Sequence, residues 1–563
     1  MGLHRNRACL GRQEGRAVAV MHGASGPPLL CLPPRSYNAA TMPAGRVHIV
    51  CYGCQMNRLD AELIAQVLAA AGWEVARGPD GADAVLLVTC SVRAHAEDRV
   101  FSNIGALAAR RRARPRQGEA RLRRGEARPD PGGAPPCGET RPDLLIGLLG
   151  CMAQQHGRDV FRLAPAVDLV AAPGRLAELP DLLAAARRGE RVLALDPPRA
   201  AGPPAASDDA LDALEARRPA PPTPGRAFVR AMRGCDNFCS YCVVPHVRGP
   251  ERSRPPHAIL EEVRRLVGQG AGQVTLLGQA VNQYAAEEAG RRWDLADLLA
   301  AVAGVPGLSR LRFITNHPRA MTPRLAGLFR DVPNVCPHLH MPAQAGSDAV
   351  LGRMDRGYTA AEYLERAAMV RAARPDVGLY SDFIVGFPGE TTEAFEATLD
   401  LVRRLRTAGA FVFRYSPRPG TRAAGFPDDV PDAEKRRRHR ELLALVGEIA
   451  EQQNRAFIGR TVEVLVEDLS PRQRQARGLR HEACATARPE DHPSRTPAPD
   501  RRPDASSLPL PPSCLKPPAS SLQLRGRTPC DRLVVFDGPR DLVGRTVPVR
   551  VEGATSLTLL AHL

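Results

Sequence analysis

Cys235-Asp-Asn-Phe-Cys239-Ser-Tyr-Cys242 is the stretch from which the fold is read. It follows Ala227–Met232, an apolar run of strand type, and leads into Pro256–Gly268, whose apolar residues recur at helical spacing. The alternation then continues. Gln273–Leu277, Arg310–Ile314, Val377–Val385 and Ala410–Tyr415 read as strands; Trp293–Val302, Thr359–Ala373 and Thr392–Thr407 read as helices. About six βα units of this kind predict a full or partial β/α barrel over 226–457, with the three thiols at the carboxyl end of its first strand. A basic helix, Asp432–Phe457, closes it.

Outward to the amino side, Val47–Val50, Ala84–Val88 and Asp143–Leu149 read as buried strands and Arg58–Ala71 as a helix. This predicts a parallel α/β domain over 46–195. Each strand runs into a loop bearing a cysteine: Cys54, Cys90 and Cys151. Parallel sheets place their sites at such carboxyl ends. Outward to the carboxyl side, 459–563 is strand-only: Thr461–Glu467, Arg532–Phe536, Thr546–Val551 and Ser556–Leu560 predict a small β-barrel, a form common in RNA-binding appendages.

Four stretches fall outside this scheme. Residues 1–45, with five arginines and Glu14 as the one acid, read as a disordered extension, with Met42 the better start. The insertion at 110–136 opens on Arg110–Arg128, which holds nine arginines and two glutamates. Residues 196–225 read as a Pro/Ala-rich linker, and a Pro/Arg/Ser-rich insertion at 470–522 splits the tail.

Composition narrows the function classes. A chain of 563 residues needs several domains. The formal charge of +16 points to a polyanionic partner. Fourteen cysteines spread over this length do not form a short, Cys-dense secreted scaffold. No apolar run reaches the ~18 residues of a membrane span, and the amino end lacks the apolar core of a secretory signal. The expectation is a cytoplasmic protein, without a membrane partner, whose cysteines bind metal.

Three thiolates within C-x3-C-x2-C can hold three irons of a cubane and leave the fourth without a protein ligand. An open iron is what radical S-adenosylmethionine (SAM) chemistry needs: it chelates SAM, and an electron from the cluster cleaves the carbon–sulfur bond. A zinc site would ask for four ligands. Cys54, Cys90 and Cys151 form a second triplet, in Gly-Cys-Gln-Met-Asn, Thr-Cys-Ser-Val-Arg and Gly-Cys-Met-Ala-Gln. Glycine before the thiol permits a sharp turn beside a bulky cluster. Cys51, inside its strand, is left out. Cys9, Cys31, Cys137, Cys336, Cys484, Cys514 and Cys530 fall in extensions, insertions or strand edges and read as bystanders. Asp382-Phe-Ile-Val-Gly-Phe-Pro-Gly-Glu390 and the turn from His340 through Gln344 to Ser347 lie at strand ends suited to SAM.

With these residues in view, the chain resembles the methylthiotransferase family. The resemblance is carried by Gly-Cys-Gln-Met-Asn, Gly-Cys-Met-Ala-Gln, the Cys235–Cys242 motif with Val243–Arg254, Val274–Tyr284, Gly-Phe-Pro-Gly-Glu-Thr and Tyr-Ser-Pro-Arg-Pro-Gly-Thr. It runs from about Arg46 to the carboxyl end, insertions excepted. Val274–Tyr284 and Val243–Arg254 are most similar to the MiaB-type branch, which acts on N6-dimethylallyladenosine (N6-isopentenyladenosine) in tRNA. The resemblance implies a radical SAM barrel, a C-terminal TRAM domain, and two [4Fe–4S] clusters. Cys235, Cys239 and Cys242 would hold the SAM cluster, and Cys54, Cys90 and Cys151 the auxiliary one. It implies methylthiolation of adenine carbon 2 beside the anticodon of tRNA, with SAM as both methyl donor and radical source. It also implies a flavodoxin- or ferredoxin-type electron donor, sulfur and cluster donor proteins, and a monomer. Departures from the family's usual residues fall at Val88, Ala94, Ala280 and Ala345, none of them a cysteine.

The rival readings are a methylthiotransferase acting on threonylcarbamoyladenosine tRNA or a ribosomal protein, and a non-catalytic iron–sulfur RNA-binding protein. The two triplets make an immediate prediction. After anaerobic reconstitution, a Cys235/Cys239/Cys242→Ala variant retains about half the wild-type iron. Iron analysis giving unchanged iron, or complete loss in a folded protein, contradicts two independent sites.

Overall fold

Near-continuous apolar runs such as Ala84–Thr89 (AVLLVT) and Leu145–Gly150 (LIGLLG) form strands only where both sheet faces are covered. In the computed structural model these runs lie at the centre of a parallel sheet. Residues 45–91, 94–113, 144–197, 205–218, 223–476 and 522–563 are described. The sheet comprises β1 (Arg46–Tyr52), β2 (Glu74–Val75), β3 (Ala84–Thr89), β4 (Leu145–Gly150), β5 (Leu169–Ala171) and β6 (Val192–Ala194), in the order β2-β1-β3-β4-β5-β6. Side chains alternate between two cores. Ile49, Leu86 and Val88 pack on one face, and Val85, Leu87, Ile146 and Leu148 on the other. Helices α1 (Gln55–Ala70), α2 (Ala94–Ala113) and α3 (Cys151–His156) follow β1, β3 and β4.

The stretch read as a linker contains structure. Ala205–Ala216 is a helix, α4, whose Leu211 enters the core shared with α1. Its Glu215 is buried and pairs with Arg230 at 2.9 Å and Arg254 at 3.1 Å. Pro/Ala-rich composition conceals this helix because its apolar positions, Leu211 and Leu214, are few. The Arg-rich stretch is also helical at its start: α2 runs through Arg110–Arg112, and Arg111 reaches Asp168 at 2.9 Å. The extension before residue 45, residues 114–136, and 477–521 lie outside the described residues, as do Cys9, Cys31, Cys137, Cys484 and Cys514.

The second half is the expected partial barrel. Strands β7 (Arg226–Arg230), β8 (Gln273–Leu277) and β9 (Arg310–Phe313) pair in parallel, as do β10 (His338–His340), β11 (Gly378–Val385) and β12 (Gly409–Arg414). A parallel bridge between Leu311 and Val335 joins the two halves into one arc of six strands. The helix expected at Trp293 begins two residues later. Residues 291–294 form instead one arm of an antiparallel hairpin with Ala285–Glu288, and Asp294 caps the helix by accepting from the Asp297 amide at 2.8 Å.

The tail is a closed five-stranded barrel of β13 (Thr461–Leu469), β14 (Leu522–Arg527), β15 (Leu533–Gly538), β16 (Thr546–Ala554) and β17 (Thr558–His562), in the order β13-β14-β15-β17-β16. It caps the amino ends of the larger barrel's strands. Arg310 donates to the Arg527 and Glu463 carbonyls at 3.0 and 3.2 Å, and Arg312 to the Thr528 and Pro529 carbonyls at 2.6 and 3.1 Å. Asp531 pairs with Arg312. Burial works to raise the Asp531 carboxyl, but Arg527 and Arg312 outweigh it and hold the group well below the usual carboxylate range. Removing one partner of a buried pair strands the other. Asp531→Ala is therefore expected to cost on the order of 3 kcal/mol in urea denaturation, with the shape-conserving Asp531→Asn costing less. Equal stability of Asp531→Ala and wild type would mean that this pair contributes nothing to the cap.

Candidate active site

Each site cysteine follows a strand directly or by a short turn. Cys54 sits between β1 and α1, Cys90 after β3, and Cys151 at the start of α3. Two glycines make the approach possible. Gly150 takes φ +95°, and a Cβ there would lie 2.6 Å from the Thr89 carbonyl oxygen. At Gly53 a Cβ would collide with the Asn57 side chain. Buried Asn57 binds the loop together, donating to the Thr89 carbonyl at 3.2 Å while its own oxygen accepts from the Cys54 amide at 3.4 Å. The structure brings the Cys54 and Cys90 side chains within hydrogen-bonding reach of each other.

Cys235, Cys239 and Cys242 lie in the loop after β7, at the carboxyl end of the arc. Gly234 turns the chain at φ +73°, where the Pro250 carbonyl leaves no room for a side chain. Phe238, between two of the thiols, holds φ +47° and is exposed. A bulky residue in that region is strained, and such strain concentrates at functional sites. Two nitrogen donors reach these sulfurs. Asn237 Nδ2 is 3.1 Å from Cys235 Sγ, and an Arg356 terminal nitrogen is 3.2 Å from Cys239 Sγ. Asn237 is braced by Gln283 at 2.6 Å, and Arg356 by the Pro342 carbonyl at 3.0 Å.

The two triplets meet through the segment after Cys242. Val243 and Val247 pack on Cys151, and helix α5 (Val244–Val247) lies against α3. Arg248 then enters the amino-terminal domain. Its Nε lies 3.1 Å from Cys151 Sγ, and its terminal nitrogens reach Asp60 at 2.6 and 3.3 Å.

The thiols differ in acidity. The Cys90 hydrogen bond lowers the exposed Cys54 thiol to about 6, helped by the Arg248 charge. Burial raises Cys151 and Cys235, and burial beside Cys239 pushes Cys242 up to about 12. Bound iron inverts this ordering, because a coordinating thiol is deprotonated outright. Among the described residues no three His, Cys, Asp or Glu groups converge on a point where one ion would sit. A cubane asks for something else, one thiolate per iron, with N–H donors to the sulfurs. The all-thiol donor sets and their Asn and Arg partners fit that group. The other described cysteines lie elsewhere. Cys51 is in the apolar core, while Cys336 and Cys530 are buried where the tail meets the amino ends of the strands.

The Gly-Phe-Pro-Gly-Glu turn lies against the motif, with the Phe387 and Tyr241 rings edge-on at 6.5 Å. Buried Glu390 fixes it, accepting from the Gly386 amide at 2.6 Å and from Arg438 at 2.8 Å. His340 and Asp382 pair at 3.1 Å across the ends of β10 and β11. A groove of about 380 Å³ lined by Arg264, Gly272 and Pro306 lies instead at the amino ends of the strands, away from the thiols. Sequence reasoning did not single out Asn57, Asp60, Asn237, Arg248 or Arg356. Asn57, Asn237 and Arg248 stand inside the quoted motifs; Asp60 and Arg356 carry no local signal.

Residues 229–402 match the model of the radical SAM superfamily, and 46–118 that of the uncharacterized protein family UPF0004. The chain is 39% identical over 523 residues to the tRNA-2-methylthio-N(6)-dimethylallyladenosine synthase of Rhodopirellula baltica, covering 92% of this chain and 95% of that one. It is 42% identical over 436 residues to the protein of the same name from Geobacter sulfurreducens, covering 77% and 89%. Among solved structures, the radical S-adenosylmethionine methyltransferase TsrM of Kitasatospora setae aligns with a TM-score of 0.41 at 17% identity, over 68% of this chain and 77% of that one. With relatives of this identity matched over nearly their full length, and a barrel of the radical SAM superfamily, the chain is a radical SAM enzyme and belongs to the tRNA-2-methylthio-N6-dimethylallyladenosine synthase family.

Proposed function

We propose that this protein methylthiolates carbon 2 of N6-isopentenyladenosine beside the anticodon of tRNA, with SAM as methyl donor and radical source. The observation that carries the reading is that the segment after the C-x3-C-x2-C motif packs Val243, Val247 and Arg248 on Cys151 of the amino-terminal domain. Family membership supports the substrate class.

Cys235, Cys239 and Cys242 would hold one [4Fe–4S] cluster, and Cys54, Cys90 and Cys151 a second. When bound, the first supplies the electron that cleaves SAM into a carbon radical, and the second offers an open iron for the sulfur to be transferred. The chain's own residues provide the rest. Tyr241 and Phe387 wall the thiol loop on its apolar side. Glu390 and Arg438 hold the Gly-Phe-Pro-Gly turn rigid, so that backbone groups can line the SAM site without reorganising. An unstacked anticodon-loop base reaches the carboxyl end of the arc at modest cost, because single-stranded bases are easily splayed out. The reading further entails a flavodoxin- or ferredoxin-type electron donor, sulfur and cluster donor proteins, a monomeric enzyme and a cytoplasmic location. No helix among the described residues is long and apolar enough to cross a membrane.

The decisive measurement is nucleoside mass spectrometry of tRNA. Cells lacking the protein are expected to accumulate N6-isopentenyladenosine without its 2-methylthio derivative, and wild-type protein to restore the derivative. A different nucleoside responding, or none, would overturn the substrate. The division of labour is tested separately. Purified Cys54→Ala protein should still cleave SAM reductively while transferring no methylthio group; loss of SAM cleavage would contradict separate roles for the triplets.

A further inference from the structure

Arg248 belongs to the barrel yet touches a thiol of the other domain, Cys151. It follows Cys242 by six residues and is 6% exposed, with Asp60 6%, Cys151 7%, Val243 4% and Val247 3% exposed around it. In so dry a setting a guanidinium is retained only with a counter-charge, and Asp60 provides one through both terminal nitrogens. This fork fixes the plane of the group and leaves Nε–H pointing at Cys151 Sγ, 3.1 Å away. Asp60 is itself held by Asn57, whose amide donates to it at 3.3 Å. The Asp60 carboxylate is occupied, so the hydrogen bond to sulfur is the guanidinium's remaining directed contact.

We propose that Arg248 is a positioning residue that tunes the auxiliary site: its Nε–H donates to the Cys151 sulfur and raises the reduction potential of the cluster held there. The inference rests on the reading of Cys54, Cys90 and Cys151 as ligands. A cluster gains negative charge on reduction, so an N–H donor and a fixed positive charge at a ligand sulfur favour the reduced state. The effect is local. Asn237 and Arg356 make the equivalent contacts at the barrel's own triplet, and neither touches Asp60 or Cys151. The two clusters therefore have independent sets of donors, and the auxiliary one borrows its donor from the domain that carries the SAM cluster.

The test is EPR-monitored redox titration of the full-length reconstituted protein, with the barrel's cluster identified as the signal that changes on adding SAM. Arg248→Lys keeps the charge and loses the planar donor. Arg248→Met alone strands Asp60, so it is paired with Asp60→Asn, which removes both charges together. Both variants are expected to lower the midpoint of the SAM-insensitive signal, the double variant more, and to leave the SAM-responsive midpoint unchanged. Iron content and melting temperature of the same samples report whether the fold is intact. Two wild-type signals whose midpoints do not move, or move together, would overturn the inference alone. A wild-type protein showing only the SAM-responsive signal would overturn the auxiliary ligand set and the inference with it.

Discussion

The arrangement of both thiol triplets depends on one knot of buried charge between the domains. Arg218, Arg230 and Arg254 interleave with Glu62, Glu215 and Glu262, with contacts of 3.2 Å from Arg218 to Glu62, 2.9 Å from Arg230 to Glu215 and 2.7 Å from Arg254 to Glu262. Nearly all of these groups are shielded from water. Such charges are costly to desolvate and persist only where every one is paired. The three acids come from three different elements: α1, α4 and the helix Pro256–Gly268. The arginines that answer them lie on β7 and its flanks. These pairings tie α4 to both the sheet domain and the barrel. Burial raises the Glu62 carboxyl to about 7 even with Arg218 beside it.

That constraint explains why an irregular loop can carry Arg248 across to Cys151. The Cys242–Arg248 segment has little regular structure of its own beyond one helical turn at Val244–Val247. It holds position because the domains on either side are already docked, and Val243 and Val247 pack on Cys151. A further contact joins the domains: Arg418, from the barrel, pairs with Glu97 of α2 at 2.8 Å. The carboxyl ends of the two sheets are thus linked where Val243, Val247 and Arg248 reach Cys151.

The extent to which this was legible in the sequence follows from where information is local. The C-x3-C-x2-C spacing, the glycines before Cys54 and Cys151, and the alternation of the arc are all local patterns, and they led to the right fold class. Elements were lost where pattern and composition conflict. Strand β14 reads Leu-Gln-Leu-Arg-Gly-Arg, an alternation interrupted by glycine between the expected insertion, which ends at 522, and the strand expected from Arg532, and the sequence reading names no strand there. Strand β10 has three residues, too few to show a period. The helix α4 hid in alanine and proline. The residues that hold the thiols were lost for another reason. Asp60 and Arg248 are 188 positions apart in the chain, and nothing near either one announces the other.

Net charge leaves open which cations face a partner. A formal +16 suggests a surface made for a polyanion, yet Arg218, Arg230, Arg248, Arg254, Arg310, Arg312 and Arg356 are buried. Arg310 and Arg312 each donate to two tail carbonyls, and Arg356 donates to a carbonyl, a phenol and a sulfur. None of these contacts presents positive charge to solvent. The same contacts alter the reading of the tail. Its barrel is joined to the larger one by arginines that would otherwise be buried without acceptors, so it covers the amino ends of the strands as a structural part. Any contact it makes with RNA must come from the faces turned away from Arg310 and Arg312. A net charge counts cations; only the hydrogen-bond partners of each guanidinium say which of them remain available to a phosphate.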